Sequence, residues 1–209
     1  MMLEVQNFFN LLTNEEKNEL EKIKIQSTYF KNQNIYIQGA ASFGVFFIHT
    51  GKVKLSRVTP TGEERIYDFK SAQDFLGLNS ILHANKHSHT VTALSKCDIT
   101  FIPKEFFLKV ISQNAQVAHY ISHICLEESE KMMRRIEQLQ SLSAKDRVKN
   151  SLIQIHHKFH RKNKINLQIT RAEWANYAGM AQETFIRLLT ELKKEKFVHQ
   201  DGKYLCLAS

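Results

Sequence analysis

Residues 169–192, ITRAEWANYAGMAQETFIRLLTEL, constrain this chain more than any other stretch, because they spell two short helices joined by a tight turn. Thr170, with Glu173 three residues on, is a capping box that can open the first helix. Ala172, Trp174, Ala175 and Ala178 give that helix an apolar side. Gly179 falls where the turn needs a positive φ, which a residue without a Cβ adopts at least cost. A second helix starts near Ala181 and repeats Phe185, Leu188, Leu189 and Leu192 at helical spacing. Its opposite face offers Gln182, Glu183, Ile186 and Arg187 close to the N-terminal end. A helix of this design can lie in a DNA major groove with those side chains at base edges.

The charge distribution agrees. The net charge is +8, but it is uneven: residues 143–209 hold 13 Lys/Arg against 6 Asp/Glu, and residues 1–142 hold 16 against 15. The excess sits with the two-helix motif, as phosphate neutralisation requires. No apolar run approaches membrane-spanning length, and the N-terminus lacks a secretory apolar core. Cys97, Cys125 and Cys206 are scattered and odd in number, which points to reduced thiols in a cytoplasm. Their spacing suits neither a zinc site nor an iron–sulfur cluster. No metal is expected.

Upstream, the first 110 residues are mostly β. Short runs rich in branched and aromatic residues occur at 35–37, 45–50, 52–58, 63–69, 90–95 and 97–103, broken by Gly39, Gly51 and Pro60-Thr61-Gly62. In the third run Val53, Leu55 and Arg57 alternate onto one face. Strands at this spacing predict a barrel or roll flanked by helices at about 14–24 and 104–111. Residues 113–142 contain no Gly or Pro and predict one long helix. Ile121, Cys125, Ser129, Met132, Ile136 and Leu139 recur by four and three residues, a seam suited to dimerisation. A helix over about 144–160 then leads into the basic domain, and HHKFHRKNK at 156–164 reads as a solvated basic end. The fold class is α+β: an N-terminal jelly-roll-like β-roll (1–112), a dimerisation helix (113–142) and a C-terminal winged helix-turn-helix (143–209).

The order of these parts resembles the CRP/FNR family of bacterial transcription regulators over nearly the whole chain. The likeness is carried by IYIQGAASFGVFFIHTGKVKLSR, by DFLGLNSIL at 74–82, and by the helix-turn-helix followed by the wing FVHQDGKYLCL. It implies a homodimer reading a pseudo-palindromic double-stranded operator, with RNA polymerase as a further partner. In the reading helix, Arg187 suits a bidentate pair to guanine and Glu183 can accept from cytosine while orienting Arg187. Gln182 suits adenine or phosphate, and Ile186 a thymine methyl. Thr170, Arg171, Thr184 and Lys203 match positions that hold the DNA backbone.

The ligand cassette departs from the family pattern. Gly77 is kept, but Leu78 stands where the family's ribose-binding Glu would be, and Ser88 stands about where its phosphate-binding Arg would be. His89 follows, and Met132 with Met133 replaces the hydroxyl pair that meets the base. A cyclic phosphate without its Arg is costly to bury, so cyclic AMP is not expected to bind in the usual way. Two readings of the roll stay open. One is an effector-free scaffold; the other is a sensor of a different signal, such as a small apolar or anionic metabolite, or haem. His83, His87 and His89 sit in the cassette loop and can serve that second reading. A module whose basic domain docks on protein would need an intact cassette and a non-reading helix face, the reverse of this chain. Enzyme activity is not expected, since the nearest acid to His89 is Asp98.

Overall fold

The computed structural model describes residues 8–159, 164–166, 169–201 and 204–207. In chain order the roll comprises α1 (Phe8–Leu11), α2 (Asn14–Ile23), β1 (Ile25–Tyr29), β2 (Asn34–Tyr36), β3 (Gly44–Thr50), β4 (Lys52–Val58), β5 (Glu64–Ser71), β6 (Phe75–Leu76), a π-helical turn at Ser80–Ala84, β7 (Thr90–Ala93) and β8 (Cys97–Pro103). The strands form two antiparallel four-stranded sheets, ordered β1-β8-β3-β6 and β2-β7-β4-β5. Alternation sends one face of each sheet inward. Ile48, Val53, Leu55, Val91 and Ile99 fill the space between the sheets. The outer face of the first sheet buries Val45, Phe47 and Ile102 against Phe8, Phe106, Phe107, Val117 and Ile121 of the flanking helices.

The helices that follow are α3 (Lys104–Gln113), α4 (Ala115–Ser141) and α5 (Ala144–Phe159). One polar residue explains the break after α3. The Asn114 carboxamide accepts from Val117 N as the N-cap of α4 and donates to Leu11 O at 3.0 Å. The last unit contains β9 (Lys164–Asn166), α6 (Arg171–Tyr177), α7 (Gln182–Lys194), β10 (Val198–Asp201) and β11 (Tyr204–Leu207), with sheet order β10-β11-β9. Its core joins Val148, Leu152 and Ile155 of α5 to Trp174, Ala175, Phe185, Leu189 and Leu192. Trp174 lies over Phe185, and its indole N–H donates to Ser151 Oγ at 3.1 Å, so the one polar atom of that ring is satisfied in the core.

Several local expectations are corrected. Strand β1 has no strong alternation to announce it; it pairs with β8 through its backbone while most of its side chains stay exposed. In β4 Ser56 is buried and Arg57 is exposed, against the expected Val53-Leu55-Arg57 face; beside them the pairing with β5 shifts register between Leu55 and Ser56. Ala172 is exposed on α6; Trp174, Ala175 and Tyr177 make its buried side.

Candidate nucleic-acid interface and ligand cassette

The two-helix motif has the expected local geometry. Thr170 and Glu173 form a complete capping box, with Thr170 Oγ1 accepting from Glu173 N at 3.2 Å and Glu173 Oε2 accepting from Thr170 N at 2.9 Å. Gly179 has φ +68°, and a Cβ there would meet Leu139 Cδ2 at 2.8 Å. The turn is therefore both left-handed and pressed against the end of α4. Helix α7 buries Phe185, Leu188, Leu189 and Leu192, which fixes its rotation. Gln182, Glu183 and Arg187 are exposed together on the other side, while Thr184 and Ile186 are half-buried. Ala181, the N-cap, offers no side-chain hydrogen bond to the first turn of α7.

One expected pairing is replaced. Arg187 Nη1 donates to Glu191 at 2.8 Å rather than to Glu183, so the guanidinium is held toward the C-terminal side of α7. Thr170 and Arg171 are exposed. Lys193 donates to Gln200 of β10 at 2.7 Å, and burial with the nearby Arg171 charge lowers its pKa. Lys203 lies outside the described residues.

Helix α4 sorts its seam residues in an order the spacing alone does not show. Ile121 is buried in the roll's own core and Cys125 packs beside it. At 3.6 residues per turn, Cys125, Met132 and Leu139 lie within about 40° of Ile121 around the helix. Cys125 packs on the roll, whereas Met132 and Leu139 are exposed, and Leu139 Cδ2 lies beside the Gly179 turn. The most exposed apolar residues are Leu126 and Met133, both 68% exposed, followed by Ile136 and Met132, both 47%. Leu126, Ser129, Met133 and Ile136 run at intervals of three, four and three and are all exposed, as Met132 and Leu139 of the expected seam are too.

In the cassette, Gly77 is buried with φ +86°. Leu78 does not enter the roll; it packs among Phe8, Phe75 and Phe107 on the helical side. Ser88 is exposed, with its hydroxyl 3.0 Å from His89 Nδ1. The space beside Gly77 is taken by a side chain that escaped the sequence argument. Tyr36 stacks on His87, with ring centroids 3.7 Å apart and planes at 11°, and its hydroxyl meets His89 Nε2 at 2.9 Å. The phenol oxygen also accepts from the Gly77 backbone, and His87 Nδ1 meets Ser80 Oγ at 3.1 Å. Burial raises the Tyr36 pKa. Burial, then the charges of His87, Lys70 and Arg57, lower His89 to about 4, so both groups are neutral at pH 7. Nothing in the short run IYI marked Tyr36 as the residue that closes this network. Met132 is exposed on α4, and no group of three or more His, Cys, Asp or Glu among the described residues could hold a metal. At the two positions themselves, Leu78 offers no carboxylate and Ser88 no cation.

Comparison with known proteins bears on both halves. Residues 26–114 match the model of the cyclic nucleotide-binding domain, and residues 146–208 match that of the Crp-like helix-turn-helix domain. The regulatory protein HlyX of Actinobacillus pleuropneumoniae is 25% identical over 181 residues, covering 85% of this chain and 75% of its own. The fumarate and nitrate reduction regulatory protein of Vibrio cholerae is 24% identical over 181 residues, covering 85% and 72%. The structure of FixK2 from Bradyrhizobium japonicum superposes with a TM-score of 0.82 at 20% identity, covering 90% of this chain and 93% of that one. No helix among the described residues is long and apolar enough to cross a membrane. With the roll, the long helix and the helix-turn-helix in this order, and both domain models matched in turn, the chain belongs to the CRP/FNR family of DNA-binding transcription regulators.

Proposed function

We propose that this protein is a cytoplasmic homodimeric regulator that reads a pseudo-palindromic operator and does not use cyclic AMP in the usual way. The observation that carries the reading is the exposed group Gln182, Glu183 and Arg187 on a helix whose other side is locked into a core. Arg187 and Glu183 read base edges, Gln182 and Ile186 flank them, and Thr170, Arg171, Thr184 and Lys203 hold phosphates. Dimer contact uses Leu126, Ser129, Met133 and Ile136, so that two reading helices lie about one DNA turn, roughly 34–36 Å, apart. RNA polymerase is the further partner, and the protein carries no catalytic function. Selection of bound fragments from random DNA tests this: a two-fold symmetric consensus supports it, and an absence of any consensus contradicts it.

The roll supports a second reading, a neutral effector in place of a nucleotide. A cavity of about 400 Å³ opens beside the Tyr36–His87 stack and is lined by Ile35, Ile37, Phe43, Phe46 and Phe101, with no charged residue. Its lining suits an apolar or aromatic ligand. Haem would require His87 to leave its stack on Tyr36. Calorimetric titration with cyclic AMP, expected to give no heat, and with haem separates these cases.

A further inference from the structure

We propose that Asn176 is a positioning residue: it fastens the helix-turn-helix to the free edge of the roll's second sheet and so sets the half-site spacing that the dimer accepts. The inference rests on the dimeric operator-reading function proposed above. Strand β5 is the edge of its sheet, and its outward backbone groups need partners. The Asn176 carboxamide supplies both, as an added strand would. Its Nδ2 donates to Glu64 O at 2.7 Å, and its Oδ1 accepts from Ile66 N at 2.8 Å. A carboxamide is the short side chain that carries a donor and an acceptor side by side; a carboxylate has no donor for Glu64 O.

The surroundings make this a clamp rather than a stray contact. Opposite Leu55 and Ser56 the pairing runs to Asp68 and Ile66, leaving Tyr67 as a bulge. The bulge reverses the alternation of β5, so that Ile66 and Phe69 both face the helix-turn-helix core. Phe69 meets Tyr177 edge-on at 4.9 Å, and the Arg135 guanidinium of α4 lies over the Tyr177 ring, 4.3 Å from its centroid. Lys54 bridges Glu64 and Glu173, at 3.2 and 3.0 Å, and Lys158 reaches Asp68 at 3.3 Å. Next along β5, the buried Lys70 pairs with Glu128 of α4. The edge strand is thus tied to the dimer helix on one side and to the first helix of the reading motif on the other. Asn176 shares the helix with Trp174, which packs on Phe185 of α7, so its hold on β5 is passed to the reading helix.

The test measures binding to operators whose half-sites are moved apart by single base pairs. Each insertion shifts one half-site by about 3.4 Å along the axis and about 35° around it. The wild-type protein should lose roughly ten-fold in affinity per inserted base pair, and Asn176→Ala about two-fold or less. Affinity for an isolated half-site should be equal in the two proteins, a result that unfolding of the motif would not give. Lys54→Met, which leaves the amide in place, should broaden the profile in the same direction to a smaller extent. An unchanged spacing profile in Asn176→Ala overturns the proposal, and so does an equal loss on half-sites and full operators. A wild-type protein with no spacing optimum overturns the dimeric reading itself, and the proposal with it.

Discussion

Arg187 donates to Glu191 across one turn of α7 at 2.8 Å, with Glu191 on its C-terminal side. An exposed pair of this kind is worth a few tenths of a kcal/mol, and this order of charges opposes the helix dipole. Its main effect is therefore on DNA rather than on folding. If α7 reads DNA as proposed, Glu191 sets a negative charge near the phosphates and holds the donor that would meet guanine. Glu191→Gln should tighten binding to unrelated DNA more than to the operator, lowering the specificity ratio, with a melting temperature close to wild type. Competition binding at fixed salt measures this.

His89 predicts a stability slope in mild acid. Its folded pKa is about 4 against an ordinary value of 6.5, so the folded state resists a proton that the unfolded chain takes up readily. The stability it contributes is complete above pH 6.5 and is lost as the pH falls from 6.5 toward 4, by at most about 1.4 kcal/mol per pH unit. Glu173 acts further down. Its own burial opposes the shift, but hydrogen bonds from Thr170 and Lys54 hold it below 4.5. Its contribution is lost only as the pH falls through that lower value. His89→Gln should flatten urea-unfolding stability between pH 6.5 and 4 and leave the steeper fall below it.

Gly179→Ala should destabilise the DNA-binding half. A non-glycine residue at φ +68° costs about 1–2 kcal/mol, and the added methyl falls 2.8 Å from Leu139 Cδ2. That leucine is partly exposed and can swing aside, so the backbone strain dominates. A lower denaturant midpoint with unchanged slope is the expected result.

Leu126→Glu combined with Met133→Glu should convert a dimer to a monomer in light scattering and abolish operator binding, while leaving the circular dichroism of the roll unchanged. Cys125→Ser should do neither, because Cys125 packs against the roll. Dimer loss on Cys125→Ser with none on the double variant would restore the seam expected from spacing alone.

Much of this was legible in the chain. The capping box, Gly179 and the spacing from Phe185 to Leu192 are local features, and local chemistry decides them. Strands β3, β4, β5, β7 and β8 announce themselves by branched and aromatic runs, whereas the two-residue β6 does not. What stayed hidden depends on long-range partners. The a/d spacing of α4 could not say which side meets the roll, because Ile121 and Leu126 are equally apolar. Tyr36 became the plug of the cassette only through Gly77, His87 and His89, which lie 41 to 53 residues away. Asn176 looked like one more polar helix residue until β5 arrived beside it.

The central claim is that Arg187 reads a base pair in a symmetric site. Binding of wild-type protein and Arg187→Ala to the selected operator, and to operators changed at each position in turn, tests it most directly. The expected result is a loss of about 1–3 kcal/mol on the selected operator and no further loss from changing one symmetric pair of positions. An equal loss on every sequence would make Arg187 a phosphate contact and contradict the claim.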